Sequence, residues 1–132
     1  MSISRAQLKA LSRLRRKEAQ LLFEAKLFDG AAYLVASVLE SALKARICRV
    51  LDLGMYPDSG ELRRVFGTHD LKQLLKLAGL ERKLTATGGS VVASWTAILK
   101  RTSASSRAVS ENELRNLLDA VDEVRKWIMK YW

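Results

Sequence analysis

Apolar residues recur along most of this chain at intervals of three and four, the period of an α-helix, and no stretch shows the two-residue alternation of a half-buried strand. In the first segment, Ser4 to Phe28, Leu8, Leu11, Leu14, Leu21, Leu22 and Ala25 fall at helical spacing. The second, from Gly30 to about Leu51 with Asp29 as its expected N-cap, is apolar almost all round in its first half. That pattern belongs to a helix covered on several sides. Gly54 to Gly60, which contains the only proline, Pro57, reads as a loop, and a short helical turn is expected over Glu61–Phe66. Thr68 is the expected cap of a third helix, His69 to Ala78, closed by Gly79; Asp70 in its first turn suits the positive end of the helix dipole. Thr87-Gly88-Gly89-Ser90 breaks the chain, and Ser90 is expected to cap a helix reaching about Arg101. A polar loop is expected over Thr102–Ser106. Ser110-Glu111-Asn112-Glu113 has the pattern of a capping box. It opens a last helix, running to the end, with Leu114, Leu117, Leu118, Val121, Val124 and Ile128 on one face.

These elements predict an all-α fold, an antiparallel up-and-down bundle of four main helices plus one or two short ones. With 132 residues, the chain is expected to form a single domain spanning 1–132. Scaling laws put about two-thirds of its surface out of water on folding, enough for a core without disulfides or metal. No apolar run approaches the roughly 18 residues of a membrane span, and residues 1–20 are charged where a secretory leader would be apolar. The expectation is a cytoplasmic protein with no membrane contact.

Composition sharpens the choice of chemistry. The single cysteine, Cys48, excludes an internal disulfide, and the single histidine, His69, excludes a multi-histidine metal site; no metal or cofactor is expected. No nucleophile-elbow motif accompanies the serines. The net charge is +9, and it is uneven. Residues 1–28 hold seven basic against two acidic side chains, whereas residues 85–109 hold three basic and none acidic. Arg13, Arg15, Arg16, Lys17, Lys100, Arg101 and Arg107 are therefore the candidate polyanion face, for RNA or a nucleotide; solubility or an acidic partner protein would account for the same charge.

Three smaller patterns carry candidate chemistry. Arg64 precedes His69 by five residues, a pair suited to metal-independent RNA cleavage, with histidine as acid/base and arginine stabilising phosphorane charge; local capping at a helix start is the structural alternative. Glu40 and Lys44 stand four apart on the second helix and can pair on one face. With Arg46, Arg49, His69 and Asp70 they mark either an internal polar network or the wall of a binding groove. The aromatics Trp95, Trp127, Tyr131 and Trp132 cluster late, as core, as a dimer interface or as a base-stacking platform.

The segments Ala31–Cys48, with its Glu40-Ser-Ala-Leu-Lys44-Ala core, and Thr68-His69-Asp70-Leu71 through Gly79 resemble the HEPN domain family. The resemblance extends over about residues 20–130, through the Trp95 helix and a final amphipathic helix with Trp127. It implies a four- or five-helix up-and-down bundle, commonly a homodimer. Members include RNA-cutting toxins and defence effectors, components of toxin–antitoxin modules paired with nucleotidyltransferases, and non-catalytic binding domains. The catalytic branch carries an Arg–His motif toward the C-terminal helices. Here that region offers Lys100 to Arg107 without a histidine, and the Arg64–His69 pair lies before the third helix. The resemblance thus leans to a non-catalytic or degenerate member that binds a nucleotide, nucleic acid or partner protein through Glu40, Lys44, Arg46, His69 and Asp70. A ribonuclease using Arg64 and His69, and a structural oligomerisation module with Trp127 and Trp132 in its interface, are the alternatives.

Overall fold

The computed structural model describes residues 2–103 and 108–132, and the regular elements among them are all helices, with no strand. Helix α1 spans Arg5–Glu24, α2 Phe28–Val50, α3 Arg63–Phe66 (entered through a 3-10 turn at Gly60–Leu62), α4 Leu71–Leu77, α5 Glu81–Thr87, α6 Gly89–Ser103 and α7 Glu111–Met129. No helix among the described residues is long and apolar enough to cross a membrane.

The near-continuous apolar character of α2 has its expected consequence. Val35, Val38, Leu39, Ala42, Leu43 and Ile47 are fully buried, and the helix packs against α1, α4 and α7. At 23 residues and 1.5 Å per residue it is about 35 Å long and forms the axis of the core. Helix α7 turns Leu114, Leu117, Leu118, Val121, Val124 and Ile128 inward, the stripe read from the sequence, and packs on α2 and α6. Ser12, fully buried in α1, ties three helices together: its hydroxyl donates to Val38 O at 2.8 Å and accepts from Arg125 Nε at 3.0 Å.

Several helix ends differ from the expected ones. Helix α1 stops at Glu24 and not Phe28, because Lys26 adopts a positive φ of 62° that reverses the chain. Asp29 is not the cap of α2: the helix begins at Phe28 after Leu27, and the Asp29 carboxylate instead accepts from the backbone of Val109 at 3.0 Å. Asp70 takes the capping role expected of Thr68, accepting from Lys72 N and Gln73 N, while Thr68 Oγ1 accepts from Asp70 N. Ser90 lies inside α6, and its hydroxyl donates to Glu123. Glycines in left-handed conformations at 88 and 89 separate α5 from α6 directly, and Thr102 is helical where a loop was expected. Helix α5 itself was not read from the sequence; its seven residues carry too short a period to register. Ser110 caps α7 as its pattern predicts, accepting from Glu113 N. That helix ends at Met129, short of the chain end.

Candidate functional site

Four side chains form a chain of contacts from the core to the surface beside α2. Lys44 Nζ donates to Glu40 Oε1 at 2.9 Å, the pair that the four-residue spacing predicts. Both side chains are mostly covered, with 13% and 16% of their surface exposed. The Lys44 ammonium also lies 5.1 Å from the centroid of the Tyr56 ring. Tyr56 is buried; its hydroxyl donates to Phe66 O at 2.6 Å, and burial pushes its ionisation well above the usual phenol range. Backbone bonds from Arg5 N to Gly54 O and from Tyr56 N to Ile3 O pin this loop to the start of α1.

On the outer side, His69 Nδ1 lies 2.6 Å from Glu40 Oε1. An ionised carboxylate only accepts, so the shared hydrogen belongs to Nδ1 and Nε2 is the ring atom left for a ligand. The His69 side chain is 82% exposed. Asp70, next to it, is occupied in capping α4. Sequence reasoning placed Glu40, Lys44, His69 and Asp70 in one group; hydrogen bonds join Glu40, Lys44 and His69, and Asp70 is near them only as the chain neighbour of His69.

Arg46 does not join them. It lies about 120° around α2 from Glu40, and it donates to Ala78 O at 3.2 Å and Tyr131 O at 3.0 Å. Arg49 donates to the same Tyr131 oxygen, Arg5 to the backbone oxygen of Trp132, and Lys9 and Arg125 lie over the Trp132 ring. Arg46 and Lys83 sit over Tyr131. Six of the 23 basic side chains are thus engaged at the end of α7, where the dipole and the last carbonyls attract cations. Burial and the neighbouring Arg49 lower the ionisation of Arg46 from the usual guanidinium range, the cost of that crowding.

The polyanion face divides likewise. Arg16 is held by Asp122 at 2.6 Å and 2.9 Å, and Arg15 pairs with Glu18; Arg13 and Lys17 are exposed on α1. Arg101 is partly buried in α6, and Arg107 lies outside the described residues. Among the described members of that set only Lys100 lines a cavity of about 720 Å³, together with His69, Asp70, Lys72, Ala36, Leu71, Thr96, Leu99 and Thr102. Arg64 is exposed on α3, and among the described residues no hydrogen bond or ion pair joins it to His69. Trp127 is buried, donating to Thr87 Oγ1 at 3.1 Å and meeting Tyr131 edge-on, which makes it core. No group of three or more His, Cys, Asp or Glu side chains among the described residues is placed to hold a metal ion.

The cavity has one carboxylate among its described lining residues, and that one is committed to a helix cap. Against it stand Lys72, Lys100 and a histidine that Glu40 orients from behind. Thr96 adds a hydroxyl from α6, while the Thr102 hydroxyl is already donated to Leu99 O at 3.2 Å. This combination suits an anion with several acceptor oxygens. Lys72, Thr96 and Thr102 were not singled out from the sequence, since nothing local marks three surface residues on two helices as neighbours. Comparison with models of known families, with curated proteins and with solved structures returns no match.

Proposed function

We propose that this protein is a non-catalytic HEPN-type binding protein that takes a phosphate-bearing ligand, a nucleotide or nucleic acid, in the cavity beside His69. In this reading the four long helices form an up-and-down bundle, two copies associate, and the protein works in the cytoplasm, with a nucleotidyltransferase-type protein of a toxin–antitoxin module as its partner. The carrying observation is the placement of His69, Lys72 and Lys100 around one cavity, with His69 fixed by Glu40 at 2.6 Å. His69 and the two lysines supply phosphate contacts, and Asp70 keeps the backbone leading into α4 in place.

Titration of single-stranded RNA at two salt concentrations tests this. Two to three phosphate contacts give a slope of about −1.4 to −2.1 in log affinity against log salt, so binding weakens about 7- to 18-fold between 50 and 200 mM salt. Replacing Lys72 and Lys100 by alanine flattens that slope by about 1.4. Salt-independent binding, or none, refutes the reading.

The Glu40–His69 pair favours a second reading, a metal-independent endoribonuclease. A carboxylate that fixes the tautomer of a histidine is the support a general acid/base needs, with Arg64 as the residue assigned to phosphorane charge. RNA cleavage in EDTA by the wild-type protein, lost in His69→Ala, would replace the non-catalytic reading.

A further inference from the structure

Tyr33 is the most exposed of the large apolar side chains in the described structure, with 81% of its surface in water. Its ring makes no aromatic or cation contact and its hydroxyl no hydrogen bond among the described residues. An aromatic ring left this bare on a helix whose inner face is fully packed contributes nothing to the fold.

Its position relates it to the cavity. Glu40, which holds His69, is seven residues further along α2, about 20° around the axis and about 10 Å along it. Between them on this face stand only Ala36 and Ser37, and Ala36 is part of the cavity wall. Along α2 itself, therefore, only small side chains separate Tyr33 from Glu40, although Tyr33 is not itself among the described residues that line the cavity. A flat apolar ring at one end and His69 with Lys72 and Lys100 at the other present two different chemistries along one path. Inorganic phosphate would use only the second. A nucleoside phosphate uses both, because its base has an apolar face and its phosphate is anionic.

Building on the phosphate-binding reading above, we infer that Tyr33 is a stacking platform for a nucleobase, so that the cavity takes a nucleoside phosphate unit, free or within a single strand. A duplex is unsuited, since its bases are already stacked on one another.

Fluorescence anisotropy with labelled oligouridylate, oligoadenylate and a length-matched abasic oligomer, at one salt concentration, tests this on wild type, Tyr33→Ala and Tyr33→Phe. Tyr33→Ala is expected to weaken both base-bearing oligomers about 5- to 100-fold and to leave the abasic oligomer unchanged. Tyr33→Phe keeps the ring and should bind like wild type. Equal loss for the abasic oligomer, or no loss for any, overturns the inference while the phosphate reading stands. Failure of wild type to bind any oligomer overturns both. Displacement by AMP or UMP assigns the site to a free nucleotide, and displacement by oligomer alone assigns it to a strand; either result supports stacking when Tyr33→Ala abolishes the base preference.

Discussion

Glu40 holds the candidate site together from beneath, and its replacement tests that arrangement through stability. In Glu40→Ala, Lys44 loses its only ion-pair partner among the described residues while 13% of its side chain is exposed. Removing one member of a buried pair costs about 3–5 kcal/mol when burial is complete. The remaining exposure and the Tyr56 face at 5.1 Å soften this, giving about 2–3 kcal/mol. For a chain of 132 residues the unfolding entropy near the midpoint is about 0.28 kcal/mol/K, so the melting temperature should fall by about 7–11 °C. His69→Ala removes only the exposed arm of the cluster, worth at most about 1 kcal/mol, and should shift the midpoint by no more than about 4 °C. The double variant Glu40→Leu/Lys44→Met replaces the pair by apolar side chains and should recover most of the loss in Glu40→Ala. Thermal melts followed by tryptophan fluorescence measure all three. A loss below about 1 kcal/mol in Glu40→Ala, or a double variant as unstable as the single one, would show that the cluster does not carry the arrangement described.

Other expectations concern the frame around the site. Ser12→Ala strands the Arg125 guanidinium and should cost about 1.5–3 kcal/mol in urea unfolding; adding Arg125→Met should cost less than the sum of the two single changes, because an absent charge needs no partner. Burial raises the ionisation of the Cys48 thiol, so native protein should resist a thiol reagent near pH 8 and react with one equivalent after unfolding. Since the folded value lies above the unfolded one, that thiol contributes stability below about pH 9, and the contribution fades as pH rises further. Hydrogen bonds from Ser90 and Ser94 lower the ionisation of Glu123. Its contribution is present above the unfolded value of 4.5 and disappears as pH falls through the lower folded value. The gap in melting temperature between wild type and Ser90→Ala/Ser94→Ala should thus be clear at pH 7 and narrow progressively as pH falls below 4.5.

The sequence by itself determined what depends on neighbours along the chain. Periodicity fixed the helical class and the inward stripe of α7, the spacing of Glu40 and Lys44 fixed their pairing, and Ser110 fixed the start of its helix. Such features follow from the geometry of one helix, in which residues four apart are adjacent whatever the rest of the molecule does. Helix ends were less legible where tertiary partners compete for the capping group, as Val109 does for Asp29 and Glu123 does for Ser90. Only the tertiary structure placed His69 on Glu40, 29 residues away, and turned Arg46 from the expected site toward the end of α7. Both depend on how loops return the chain and on which face of α2 each neighbour covers. The basic residues show the same division: their number is written in the sequence, and whether each faces a cavity, an acid or the end of a helix is decided by packing.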